Sequence, residues 1–336
     1  MANVSSTSPL FQEVNLTATA LTNAAEQLVF GFAGCIMVVV VVGSIIHRLK
    51  LDFLPESLVC VSAGALLGYA LYYSDWGGQR HELDVNFQYA LFSLLLKLFC
   101  LPTIIFESGW SLRQRDFFSQ IMYILLIAIL GTSISVVVVA YVLHGSAEYH
   151  GVKSWRTCLA YASLISSTDP VATLATFGAM NVDPLLFILV FGESQINDAV
   201  AITLFESINS GEISSLSHIV LRVFALLFGS LGLGIGIAMV MVMVMRFMKL
   251  GRSPHNALLF LVSTPFLSYT LAEQVGMSGI ITVLFTSIVM GGYAPPHLPP
   301  EATTLASFLL KQVASVGDTI IFLCCGMMVV HVQKDG

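Results

Sequence analysis

Charge is scarce in this sequence: Asp, Glu, Lys and Arg make up only 10% of its 336 residues, while hydrophobic residues make up 56%. A water-soluble chain keeps about a quarter of its residues charged, so an ordinary soluble domain is excluded and most of this chain is expected to sit in lipid. Runs of Lys and Arg are also missing and the formal net charge is -6, which argues against a nucleic-acid partner. The six cysteines (Cys35, Cys60, Cys100, Cys158, Cys324 and Cys325) form no CxxC pair and have no histidine at ligand spacing, so they read as small residues within apolar stretches, not as a metal site. No cofactor motif is present: the glycines at Gly229, Gly232, Gly234 and Gly236 lack the GxGxxG spacing and follow no strand. The first 27 residues lack the basic start, short apolar run and small-residue site of a cleaved signal peptide. They form a polar tail with two sequons, Asn3-Val4-Ser5 and Asn15-Leu16-Thr17.

What remains is a series of long apolar runs. They cover roughly 28–47, 54–73, 88–108, 117–144, 157–178, 184–206, 217–247, 255–274, 278–291 and 303–331, most of them long enough to cross about 30 Å of hydrocarbon as a helix. The alternation of barrel strands is absent, and only helices or closed barrels satisfy the backbone in lipid. The expectation is therefore an all-α polytopic bundle of about ten spans, with a polar tail at 1–27, a transmembrane domain at 28–331 and a short tail at 332–336. Basic residues fall mainly in alternate loops, at Arg48 and Lys50, at Arg113 and Arg115, and at Arg246, Lys249 and Arg252; the positive-inside rule then places the N-terminus outside or in a lumen. Gly229, Gly232, Gly234 and Gly236 are expected to pack one face of the seventh segment closely against a neighbour, with Gly232 and Gly236 forming a GxxxG. The stretch from Gly291 to Pro300, with four prolines, reads as a loop.

A charge at the bilayer centre is expensive and calls for a partner, a wet cavity or a function. The mid-span candidates are Lys97, Glu107, Asp169, Glu193, Asp198, Glu273 and Asp318. They concentrate in Ser166-Ser167-Thr168-Asp169-Pro170 and in Gly192-Glu193-Ser194-Gln195-Ile196-Asn197-Asp198. Pro170 has no N–H to offer Ser166 and its ring clashes with that carbonyl, so the fifth segment should break near mid-depth and free carbonyls for a cation. Asp169 before Pro170 matches a helix cap and could equally bind an ion. Thr168 reads as a packing or backbone-bonding hydroxyl. Asp183-Pro184 repeats the start signal for the sixth segment, which puts Asp198 roughly 20 Å along that helix. There Asp198 shares a face with Ser194, and Glu193 with Asn197. Asp198 reads as a functional acid; Glu193 is either a second ion ligand or a structural acid, the structural role being favoured. Lys97, Glu107 and Asp318 read as helix-packing pairs or interface groups, and Glu273 as a solvated or paired group near a helix end.

Three stretches resemble the sodium/proton exchanger family of cation/proton antiporters: Leu101-Pro102-Thr103-Ile104-Ile105-Phe106-Glu107-Ser108-Gly109, Ser167-Thr168-Asp169-Pro170-Val171-Ala172 and Phe191-Gly192-Glu193-Ser194-Gln195-Ile196-Asn197-Asp198-Ala199. The resemblance implies inverted repeats, a fifth span unwound at Thr-Asp-Pro, and Asp198 as the acid that binds proton and Na⁺ or K⁺ in turn. Asp169, Thr168, Asn197 and Ser194 are then its neighbours, and the Asn-Asp pair implies electroneutral exchange that regulates pH and cation balance. It also implies a secondary transporter rather than an enzyme. A homodimer in a Golgi, endosomal or plasma membrane is expected, with the wording around Glu107 leaning to the organellar branch. Two departures stand out. Thr103 replaces the second proline of the family's Leu-Pro-Pro run, and about three further spans of the family are absent before Gly336, so a C-terminally truncated chain with an incomplete second repeat is expected. The alternatives are a non-transporting exchanger subunit or regulator and, from a different class, an intramembrane aspartyl protease using Asp169 and Asp198 as a dyad.

Overall fold

The computed structural model describes residues 56–73, 93–112, 114–168, 182–209, 216–249 and 253–335, with isolated positions within 33–48 and at 173, 177 and 180. Among these, all regular structure is helical: α1 Glu56–Tyr73, α2 Leu101–Ser111, α3 Gln114–Leu126, α4 Thr132–Gly145, α5 Trp155–Ile165, α6 Pro184–Asn209, α7 Leu216–Phe247, α8 Pro254–Gln274, α9 Gly279–Tyr293 and α10 Pro300–Asp335. Five stretches are long and apolar enough to cross a bilayer: Ser93–Ser111, Gln114–Gly145, Pro184–Asn209, Phe224–Phe247 and Pro300–Val329. The chain is therefore an α-helical integral membrane protein. The expected first segment at 28–47 and most of the fifth beyond Thr168 lie largely outside the described residues.

Two π-helical turns mark where the sequence strains the helix. One, Leu96–Cys100, leads into Pro102, which cannot donate to a carbonyl one turn back. Thr103, at the position where the family has a second proline, uses its hydroxyl to donate to the carbonyls of Phe99 and Cys100, both at 2.9 Å, so the replacement is absorbed locally. The other, Ile127–Gly131, joins α3 to α4 within the single long segment expected from the sequence.

The chain divides into two units, Lys97–Ala314 and the remainder. In the larger one α9 is the central element. Every residue from Ile281 to Met290 is buried, the mark of a helix surrounded by others. It packs on α2, where Gly109 and Gly291 let backbones approach: a Cβ at Gly291 would lie 2.8 Å from the Trp110 carbonyl oxygen. Gln114 ties the end of this pair by donating from Nε2 to the Val289 carbonyl at 2.7 Å. On α9's other side lies α7, where the expected close packing is made at Gly234 but not by the GxxxG pair, so the glycines do not share one packed face. A Cβ at Gly234 would meet the Thr282 carbonyl oxygen at 2.6 Å, whereas at Gly232 and Gly236 it would meet nothing within 4 Å. The GxxxG pair shares one face, and Gly234, two residues from each, points the opposite way. Close packing runs through Ser230 and Gly234, with Thr282 and Thr286 hydroxyls donating to their carbonyls at 3.3 and 3.0 Å.

In the smaller unit α1 packs on the C-terminal part of α10. Gly64 and Gly326 make the close approach: a Cβ on either would lie 2.2 or 2.1 Å from a carbonyl oxygen of the partner helix. The proline-rich stretch is confirmed as a connection, α9 ending at Tyr293 before a single 3₁₀ turn at Pro295–His297 and the start of α10 at Pro300. Cys60, Cys100, Cys158 and Cys324 are buried and Cys325 is exposed.

Candidate ion-binding site

The site is built by the end of α5 and the middle of α6. Helix α6 begins as its sequence dictates: Pro184 occupies the first turn, where a missing N–H is harmless, and the Asp183 carboxylate accepts from the Leu185 N–H at 2.9 Å. Asp198 follows 14 residues after Pro184, about 21 Å along the axis. Two polar rows lie side by side there, Glu193 with Asn197 and Ser194 with Asp198; Asn197 and Ser194 are 1% and 3% exposed.

Helix α5 starts with Ser154, whose hydroxyl accepts from the Thr157 N–H at 3.4 Å, and it ends at Ile165. Near that end Ser163 and Ser166 donate back to the carbonyls of Leu159 and Ala162 at 2.8 and 2.7 Å, a local pairing that weakens a helix's hold on its own ladder. Ser167 and Thr168 are non-helical. Helix α5 therefore ends before the expected break; Asp169 and Pro170 lie outside the described residues.

The Ser167-Thr168 segment meets α6 through side chains. The Ser167 hydroxyl donates to Asp198 Oδ1. Asn197 Nδ2 donates to Glu193 Oε1 at 3.0 Å and, at the longer distance of 3.4 Å, to Thr168 Oγ1. Its own Oδ1 is buried and has no hydrogen-bond partner among the described residues. A buried acceptor left in this way costs about 1 to 3 kcal/mol, which an incoming donor or cation would recover. The cluster therefore offers a carboxylate, an amide oxygen and hydroxyls, all hard oxygen donors of the kind that bind s-block cations.

Of the residues expected from sequence, Asp198, Asn197, Thr168 and Glu193 are brought together, and Ser194 is buried one turn before Asp198. Ser167 was not singled out, although it stood in the same Ser-Ser-Thr run; which of three adjacent hydroxyls faces α6 depends on how the chain leaves the helix. Glu107 lies within Coulombic range of Lys311 on α10. Glu273 accepts from the Gly279 N–H at 3.0 Å and so closes the turn between α8 and α9.

Comparison with known proteins gives the family of the chain. The sequence matches the family model for the transmembrane region of sodium/hydrogen exchangers over residues 36–334. It is 33% identical to sodium/hydrogen exchanger 1 of Dictyostelium discoideum over 93% of this chain and 46% of that protein. It is 34% identical to human sodium/hydrogen exchanger 8 over 84% of this chain and 50% of that protein. Sodium/hydrogen exchanger 5 of Arabidopsis thaliana is 33% identical over 85% of this chain and 56% of its own length. The chain thus spans about half the length of these curated relatives. With the match to the family model covering nearly all of its helices, the chain belongs to the sodium/hydrogen exchanger family.

Proposed function

We propose that this chain carries the ion-binding core of an electroneutral exchanger of Na⁺, or K⁺, for H⁺, in which Asp198 binds the proton and the cation alternately. The observation that carries the reading is the meeting of the Asp198 carboxylate with the non-helical Ser167-Thr168 segment, beside the buried and unmatched Asn197 Oδ1. A carboxylate inside a membrane bundle can be neutralised by a proton or by a metal ion. Because both compete for the same oxygens, one leaves as the other enters, and the fluxes are coupled. Ser167 and Thr168 supply hydroxyls and Asn197 an amide oxygen. Glu193 orients that amide by accepting from its Nδ2, which leaves Oδ1 as the atom available to a cation. Ser194 is assigned to the same cluster, and Asp169 is assigned to it from the family resemblance alone. Inverted repeats, a homodimer and a lumenal or external N-terminus belong to the same reading.

In proteoliposomes made from the complete protein, Asp198→Asn should abolish Na⁺-driven proton movement; flux at the wild-type level would refute the assignment. One-for-one exchange moves no net charge, so the wild-type rate should be the same at any imposed membrane potential. A steep dependence would exclude that stoichiometry.

A further inference from the structure

The far end of the α5/α6 pair is held by a residue that the exchange chemistry does not use. Arg156, in the first turn of α5, donates from Nε to the Ile208 carbonyl at 2.9 Å and from Nη2 to the Asn209 carbonyl. The last carbonyls of a helix have no partner within it and carry the negative end of its dipole. A guanidinium satisfies two of them at once because its donors are fixed in one plane, which an ammonium cannot reproduce. The contact is a bridge between two helices.

That bridge is in register with the candidate site. Arg156 precedes Ser167 by 11 residues in sequence, and Asp198 precedes Asn209 by the same number, about 16 Å of helix on α6. One end of the pair is therefore joined by Arg156 to Ile208 and Asn209, and the other by Ser167 to Asp198 and Thr168 to Asn197. Between these points the Ser163 and Ser166 hydroxyls are spent on carbonyls of α5 itself. The non-helical Ser167-Thr168 end has no ladder of its own to hold it at the right depth.

We propose that Arg156 is a positioning residue for ion binding: it fixes the axial register of α5 against α6, so that Ser167 and Thr168 reach Asp198 and Asn197. The inference rests on the reading of Asp198 as the exchanging acid. Losing the bridge lets α5 slide, and displacements of about 1 Å are enough to disturb an oriented ligand set severely.

The test uses the complete protein. Arg156→Ala and Arg156→Lys are compared with wild type for Na⁺ dependence of proton flux in proteoliposomes, per folded molecule, and for amide hydrogen exchange over residues 205–209. Arg156→Ala should raise the half-saturating Na⁺ about tenfold with little change in maximal rate, and should speed amide exchange in the last turn of α6. Arg156→Lys, a single point charge, should fall between. An unchanged half-saturating Na⁺ in Arg156→Ala, or a fall in maximal rate alone, would overturn the proposal. If Arg156→Ala does not fold, wild-type Na⁺ affinity in Arg156→Lys overturns it instead. Flux that survives Asp198→Asn would remove the site, and the positioning role with it, while faster amide exchange in Arg156→Ala would still establish the bridge; the two failures are separable.

Discussion

The α7/α9 interface and the α5/α6 interface both bury hydroxyls and small residues in a membrane bundle, and they use them in opposite ways. Between α7 and α9 every polar contact closes. Ser230 Oγ accepts from the Ser278 N–H at 2.8 Å, the Thr282 and Thr286 hydroxyls reach backbone carbonyls one turn apart, and Gly234 brings the two backbones together. Between α5 and α6 the pairing is incomplete, with Asn197 Oδ1 buried and unmatched next to a carboxylate. Buried polarity alone therefore does not single out the proposed ion site; the polarity left unmatched beside Asp198 is what supports that proposal.

Substitutions can break or sharpen that contrast. The largest effect is expected from Asp198→Asn, which should remove cation-driven flux altogether while leaving the thermal unfolding temperature in detergent close to wild type; a collapse of stability would make Asp198 structural. Next, Gly234→Val should destabilise by about 1 to 3 kcal/mol, since its Cβ would meet a backbone carbonyl oxygen at 2.6 Å that cannot move aside cheaply. The protein that does fold should keep the wild-type half-saturating Na⁺, which separates packing from binding. Asn197→Ala should do the reverse, raising half-saturating Na⁺ about tenfold, the equivalent of about 1.4 kcal/mol, with a smaller change in unfolding temperature. The smallest effect, within about 0.5 kcal/mol, is expected from Gly236→Ala, where the added methyl has open space. A large loss of stability there would restore the GxxxG face as a packing surface.

The candidate site was legible in outline because its signals are local. Pro170 forbids helix continuation, Asp183-Pro184 starts the next helix, and the count from there sets the depth of Asp198; each follows from covalent geometry and one turn of hydrogen bonding. Ser167 and Arg156 were not legible as partners of α6. Their roles depend on which way a chain leaving α5 turns, and on which carbonyls the neighbouring helix end presents. The glycine pattern on α7 was right that glycine makes a close approach and wrong that all four share one face, for a related reason. GxxxG identifies a smooth face but not the direction it points, and here the neighbour lies on the side of Gly234.

By itself the sequence determined the solvent, the helical class and the pair of polar stretches, because hydrophobic length, proline chemistry and the penalty for mid-membrane charge act within a few turns of chain. Only the tertiary structure decided which hydroxyl meets Asp198, which amide oxygen is left over and which glycine carries the close approach. Those outcomes depend on the rotation and axial register of one helix against another, and residues far apart in sequence set both.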